Sequence, residues 1–423
     1  MKMKRAVLIF ISLGLALTVA VNFAGCAGQV SAAELTAEIT ANIVSGRNVD
    51  DKFTGVQMEL YAELFREGVK NRESENVFIS PLSLHIALAM AVNGAEGETK
   101  SEMEKLLGGD IPIDELNEYL YSYVNSLSQG DGYKIDTANS IWMYDKNERL
   151  QVENEFLQKC CDYYSAQVFK APFDSSTVND MNSWASEHTD GMIDKIVEKI
   201  DSETVMVLMN AVVFDAQWET PYESLDVITD SFVSVDGDVR TAKMMCSNES
   251  VYLTDGKAVG FMKNYKGGKY AFAALLPEKN VNIYDYVQTL TGEKLTEIFE
   301  NSEKNTQINV RMPKFSCEYG MSFKDVLSNI GMETAFDSKE ADFTNMAKFS
   351  DGNIFIGDVF HKTFISVDEV GTKAGAVTRV DMNGSAAPMD KKEVFLDRPF
   401  VYMIIDKSNN LPIFMGVLAD ISE

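Results

Sequence analysis

The stretch VDEVGTKAGAVTRVDMNGSAAPMD, Val367–Asp390, decides how the whole chain is read. It begins like the end of a β-strand and then runs through small and polar residues, with almost no bulky ones, until the chain resumes as VFLDRPFVYMII at Val394–Ile405. Successive side chains of a strand point to opposite faces. Read by twos, Thr372, Ala374, Ala376, Thr378, Val380 and Met382 share one face, while Lys373, Val377, Arg379 and Asp381 share the other. Every charge between Thr372 and Met382 therefore lies on one side. The segment is too small and flexible for an ordinary core strand, yet it is patterned like a strand that could be added to a sheet.

The rest of the chain bounds what such a segment could serve. Its 423 residues, 45% apolar, are ample for a large core. Met1–Arg5 is basic and Ala6–Val21 is apolar without a charge, the layout of a secretory signal. Two processing sites compete: FAGC, ending at Cys26, resembles a bacterial lipoprotein box, and VSA, ending at Ala32, suits ordinary signal peptidase. The expected organisation is a signal peptide over residues 1–25, lipidation of Cys26, a polar tether over 26–49 and a single domain over 50–423, outside the cell or at its surface. An uncleaved membrane anchor is the plainer alternative, but the apolar run is short of the roughly 20 residues a span requires.

A net charge of −26 argues against nucleic acid, anionic membrane or a heparin-type polyanion as partner. Beyond Cys26, Cys160 and Cys161 are adjacent while Cys246 and Cys317 are distant, which gives no disulfide or zinc spacing; buried thiols are the expectation. His85, His188 and His361 are the only histidines, and the chain has no HExxH, G-x-S-x-G elbow, CxxC or phosphate-binding glycine loop. Neither an enzyme nor a cofactor or metal site is expected.

Helical periodicity is strong in the first third. In SPLSLHIALAMAVNGAEGET, Ser80 suits an N-cap and Pro81 the first helical position, with Leu84, Ala87, Leu88, Ala91 and Val92 as one stripe and Gly94 as the stop. Thr99 and Glu102 have capping-box spacing for a helix ending at Gly108 and Gly109, and Phe53–Val69 is amphipathic, with Val56, Leu60, Leu64 and Phe65 inward. From Val205 the texture turns to strands, several apolar on both parities and so placed within covered sheets, with helices recurring at Ile283–Leu290 and Ser322–Gly331. The class predicted is α+β.

Six ordered motifs then carry a resemblance: NVFISPLSLHIALAMAVNGAEGET (Asn76–Thr99), LMNAVVFDAQWETPY (Leu208–Tyr222), VRMPKF (Val310–Phe315), GNIFIGDVFHKTFISVDEVGTKAGAV (Gly352–Val377), FLDRPFVYMI (Phe395–Ile404) and PIFMGVL (Pro412–Leu418). Over Phe53–Leu418 the chain resembles the serpins. The resemblance implies three β-sheets with about nine helices and an exposed reactive-centre loop, which baits a protease and, once cut, enters the main sheet as an extra strand. Ordering ten loop residues costs about 10 to 20 kcal/mol, more than the roughly 5 to 15 kcal/mol that ten new hydrogen bonds return, and small side chains add little burial. Most of the driving force is therefore expected from strain in the body.

On this resemblance Gly371 is the hinge, and Thr372, Ala374, Ala376, Thr378, Val380 and Met382 form the inserting face. Ser80, Ser83, Asn210 and His361 match a polar cluster beneath the central strands, and Trp218 and Lys362 match residues near the top of the sheet where the loop enters. Lys373, Gly375, Val377 and Val370 depart from the family's usual hinge residues. Counting from Gly371 puts the scissile bond at Ser385–Ala386, the position adopted; counting back from Pro399 puts it close to Met389. Small residues there suit an extracellular serine protease with a shallow, apolar primary pocket, of the elastase or subtilisin kind. A monomeric inhibitor is expected; the alternative is a non-inhibitory member acting as carrier, chaperone or surface binding protein.

Overall fold

Helix boundaries follow from which side chains can satisfy the free N–H groups of a first turn. In the computed structural model, which describes residues 32–127, 130–372 and 391–421, Asp50 caps α1 (Asp51–Val69) by accepting from the Phe53 N–H at 2.9 Å. Phe53, Met58, Leu60, Tyr61, Leu64 and Phe65 are buried there, while Val56 is only half-buried. Ser80 caps α2 (Pro81–Val92) as expected, but every residue of α2 is buried, so its inner stripe is joined by an equally covered outer face. The capping box expected at Thr99 and Glu102 does not form. Helix α3 is Gly97–Gly108; Thr99 Oγ1 instead accepts from the Asp342 N–H at 2.9 Å, and the Glu102 carboxylate accepts from the Thr334 N–H at 2.8 Å. Both groups are used to tie down a distant loop. The remaining helices are α4 (Ile113–Ser126), α5 (Asn154–Tyr164), α6 (Ser175–His188), α7 (Ile283–Gln288), α8 (Gly292–Glu300) and α9 (Lys324–Asn329).

Three sheets organise the strands, numbered in chain order. The seven-stranded sheet runs β1 (Ala33–Glu34), β5 (Gln167–Ala171), β3 (Tyr133–Tyr144), β6 (Met206–Gln217), β15 (Gly371–Thr372), β14 (Asp358–Val367), β12 (Phe315–Ser322). The nine-stranded sheet runs β16 (Lys392–Phe395), β11 (Glu303–Pro313), β8 (Val239–Thr254), β9 (Ala258–Asn264), β10 (Tyr270–Pro277), β17 (Phe400–Asp406), β18 (Leu411–Leu418), β2 (Val77–Ile79), with β7 (Val227–Val233) paired to β8. A small third sheet joins β4 (Leu150–Val152) to β13 (Ala347–Phe349). Strands β10, β17 and β18 are buried along their whole lengths, which is why their sequences are apolar on both parities. With nine α-helices among the described residues, the architecture is the α+β arrangement predicted.

The N-terminal segment is a correction. Over the described part of the expected tether, residues 32–49 are docked on the body. β1 pairs antiparallel with β5, the Leu35 N–H donates to the Val168 carbonyl at 2.7 Å, and buried Thr36 accepts from the Val168 N–H at 3.1 Å. Farther along, Asn42 binds the Asp162 carboxylate twice, at 2.7 and 3.0 Å, and Arg47 pairs with Glu118 at 3.2 Å. A polar sequence is no obstacle here, because the bonds are made by backbone and by neutral or paired groups covering an otherwise open sheet edge. Cys160, Cys161, Cys246 and Cys317 are free thiols, with Cys160 and Cys317 buried.

Candidate functional site

The seven-stranded sheet has a seam. β6 and β14 run parallel and pair only from Asp358↔Val207 to His361↔Asn210. Above that point each continues alone on this side: β6 keeps β3 along its other edge and β14 keeps β12. Among the described residues no strand lies between Ala211–Asp215 and Lys362–Ser366. At the top, β15 enters the seam, with Gly371 opposite Gln217 and Thr372 opposite both Ala216 and Val367. The sheet therefore carries a two-residue strand, Gly371–Thr372, at the top of the seam.

Sequence-local chemistry makes the turn that delivers them. The Asp368 carboxylate accepts from the N–H groups of Val370 at 2.8 Å and Gly371 at 3.1 Å, an Asx-type turn. Tertiary contacts then hold it: the Trp218 indole N–H donates to the Asp368 carbonyl and its backbone N–H to the Val370 carbonyl, both at 2.8 Å. Tyr222 donates to the Glu369 carbonyl at 2.9 Å, and Lys314 pairs with Glu369 at 2.7 Å. Partial burial pulls the Glu369 carboxyl upward, yet Lys314 and a backbone amide outweigh it and hold the group below its ordinary value. Glycine is required at 371 by close approach, since a Cβ there would stand 2.0 Å from the Ala216 carbonyl oxygen. Trp218 is thus at the top of the seam, where the resemblance puts it.

At the lower end the four predicted polar residues come together. Ser80 is fully buried; its N–H donates to His361 Nε2 at 3.0 Å and its hydroxyl to the Ile413 carbonyl at 2.9 Å. Ser83 donates to the Asn210 side-chain oxygen, and the Asn210 amide donates to Asn139 on β3. Asn139 continues the chain by donating to the Tyr164 carbonyl at 3.1 Å. Burial lowers the His361 pKa to about 3, so the ring is neutral and its Nε2 is free to accept. Both sides of the seam, Asn210 on β6 and His361 on β14, are in this way tied to the first turn of α2.

Lys362 is placed differently from expectation. It follows His361 and lies opposite Gly320, roughly 16 Å along the strand from Val367 at about 3.3 Å per residue. Its ammonium bonds the Lys195 carbonyl and Glu318, each at 2.5 Å. Adjacency in sequence to a polar-cluster residue decides its place, so it belongs to the lower end and has no part at the top. The positions Ala374, Ala376, Thr378, Val380, Met382, Ser385, Ala386 and Cys26 lie outside the described residues. Sequence reasoning missed Asp368, Lys314, Asn139 and Tyr265; the first two stand inside quoted motifs, whereas the last two carry no local signal. Among the described residues no cluster of three or more His, Cys, Asp or Glu side chains is arranged to hold a metal.

A family model described as "Serpin (serine protease inhibitor)" matches residues 56–421, and the chain belongs to the serpin family. An uncharacterized serpin-like protein of Thermococcus kodakarensis is 29% identical over 84% of this chain and 82% of its own length. Serpin-ZXA of Oryza sativa is 28% identical over 81% of this chain and 89% of its own. Among solved structures, the thermophilic serpin tengpin in its native state is 46% identical, covers 92% of this chain and 99% of its own, and gives a TM-score of 0.88. Tengpin in its latent state, at 44% identity over 89% of this chain and 100% of its own, gives 0.78. Serpins are in general inhibitors of serine proteases rather than catalysts, and the sheets described above are the serpin fold.

Proposed function

We propose that this protein is exported and inhibits an extracellular serine protease as a suicide substrate. The observation that carries the reading is the seam between β6 and β14, with Gly371 and Thr372 already paired at its top. The protease attacks the carbonyl of Ser385 and forms an acyl-enzyme with release of the Ala386 amine. The segment from Thr372 onward then enters the seam, parts the Asn210–His361 pair, and carries the attached enzyme along the molecule so that its catalytic groups are distorted before water completes hydrolysis. An uncharged inner face, Thr372 to Met382 by twos, supports insertion fast enough to compete, because a charge there would cost several kcal/mol or have to be neutralised. The seated hinge and the better overlay on the native than on the latent relative support a loaded starting state. The residues around Ser385 favour proteases with small or apolar primary pockets. Lipidation of Cys26 would hold the inhibitor at the cell surface.

Incubation with elastase-like and subtilisin-like proteases followed by denaturing electrophoresis tests this. A covalent band at the mass of the protease plus the inhibitor without its fragment from Ala386 onward is expected for at least one of them. Cleaved inhibitor alone, for every protease tried, would leave the protein a non-inhibitory family member.

A further inference from the structure

The side chain of Thr372 reaches past its own sheet. It is 1% exposed, and its Oγ1 lies 2.6 Å from the hydroxyl of Tyr265, which is fully buried. Tyr265 comes from the other large sheet: it directly follows β9 and makes an isolated bridge with Trp218. Its ring is held on two sides, stacked on Trp218 with centroids 4.6 Å and planes 11° apart, and in edge contact with Phe214 at 5.0 Å. The phenol oxygen therefore occupies a fixed point under the top of the seam. Among the described residues no other hydrogen bond reaches either hydroxyl.

We propose that Tyr265 is the positioning residue that sets the starting register of the loop; the inference rests on the inhibitory reading above. The geometry distinguishes registers. A slip of one residue either way would bring Gly371 or Lys373 to the phenol, and neither can supply a hydroxyl, while the whole inward face would exchange with the charged one. Burial pushes the phenol well above its usual range, so it stays neutral and serves as donor or acceptor at any ordinary pH. Leaving one buried hydroxyl without its partner is costly, whereas removing both is close to neutral. Thr372 is thus read by a hydrogen bond across the intersheet core, independently of the backbone pairing that holds it in β15.

Hydrogen exchange at the backbone amides of Glu369–Thr372 in the intact protein reads the seating without any protease. Tyr265→Phe keeps both ring contacts, Thr372→Val keeps the shape, and Thr372→Ser keeps the hydroxyl. Tyr265→Phe and Thr372→Val are each expected to raise exchange there about tenfold, with Phe360–Val367 unchanged and Thr372→Ser near the parent. The double variant should fall well short of the product of the two singles, because no orphaned hydroxyl remains. Unchanged exchange in the single variants, or effects that simply multiply, would overturn the assignment. Covalent trapping is scored separately, so a protein that traps nothing while showing this exchange pattern refutes the inhibitory reading and leaves the register device standing.

Discussion

The two ends of the β6–β14 seam are closed by different physics. The lower end is a neutral polar knot: Ser80, Ser83, Asn210 and His361 are all buried, Ser83 bonds Asn210, and the bond from the Ser80 N–H to His361 requires an uncharged imidazole. The upper end is an aromatic and ionic clasp around a short insertion, built from Trp218 on Tyr265, Lys314 on Glu369 and the Asp368 turn. A knot of neutral bonds can be broken and remade without leaving a charge behind, which would suit the entry of a further strand under the proposed function. The clasp holds Asp368–Thr372 at the top of the seam.

Thr372→Arg tests the upper end most severely. A guanidinium at a site 1% exposed and packed against Tyr265 would be buried in the core, so seating fails at a cost of several kcal/mol. Under the proposed function the expected outcome is a substrate in place of an inhibitor, seen as cleaved product without a covalent band; undiminished trapping would mean that Thr372 does not lead the insertion.

Acid separates the ends next. Burial depresses His361, and likewise His85 in α2, to about 3 from an ordinary 6.5. Unfolded chains take up these protons near pH 6.5 while the folded state does not. Each group's contribution is thus fully present above about 6.5 and is lost as pH falls from there toward about 3, on the order of a few kcal/mol apiece. Melting temperature measured from pH 7 to 4 should fall, and His361→Gln should flatten part of that dependence; an unaltered slope in the variant would remove His361 from the account.

The smallest effect is expected at the clasp's ion pair. Lys314 and Glu369 are 36% and 30% exposed, so their attraction is screened, and Lys314→Met should cost only about 0.5 kcal/mol of stability. Chemical denaturation reads this. A loss of several kcal/mol would show that the ionic part of the clasp outweighs the stacked Trp218–Tyr265 pair.

How far the chain could be read in advance varied with the range of the interaction. The α2 cap at Ser80 and Pro81 was legible because capping is decided within four residues, and strands such as β10 were legible because complete burial leaves them apolar on both parities. Thr99 and Glu102 have the same local spacing as a capping box, but distant partners at Asp342 and Thr334 take their hydrogen-bonding groups. Lys362 shows the opposite error: a motif shared with a family was read as a position at the top, and the strand register sets it beside the polar knot. Residues 32–49 looked like a tether because they are polar, yet docking there runs mostly through backbone and neutral groups that leave no apolar signature.

From the order of residues alone came the α+β class and, through the resemblance to the serpins, the family, an expected hinge at Gly371 and Thr372, and the four polar residues that meet at the seam's lower end. The class follows from periodicity along the chain, whereas the family, the expected hinge and the polar residues come through the ordered motifs that resemble the serpins. Only the folded molecule decided that Asp368 and Trp218 clasp the Gly371–Thr372 strand, that Asn139 extends the knot, and that Tyr265, just past β9 of the other large sheet, meets Thr372. Such meetings are set by strand register and by the stacking of one sheet on another, and no periodicity within a segment encodes which distant residue will stand across the core.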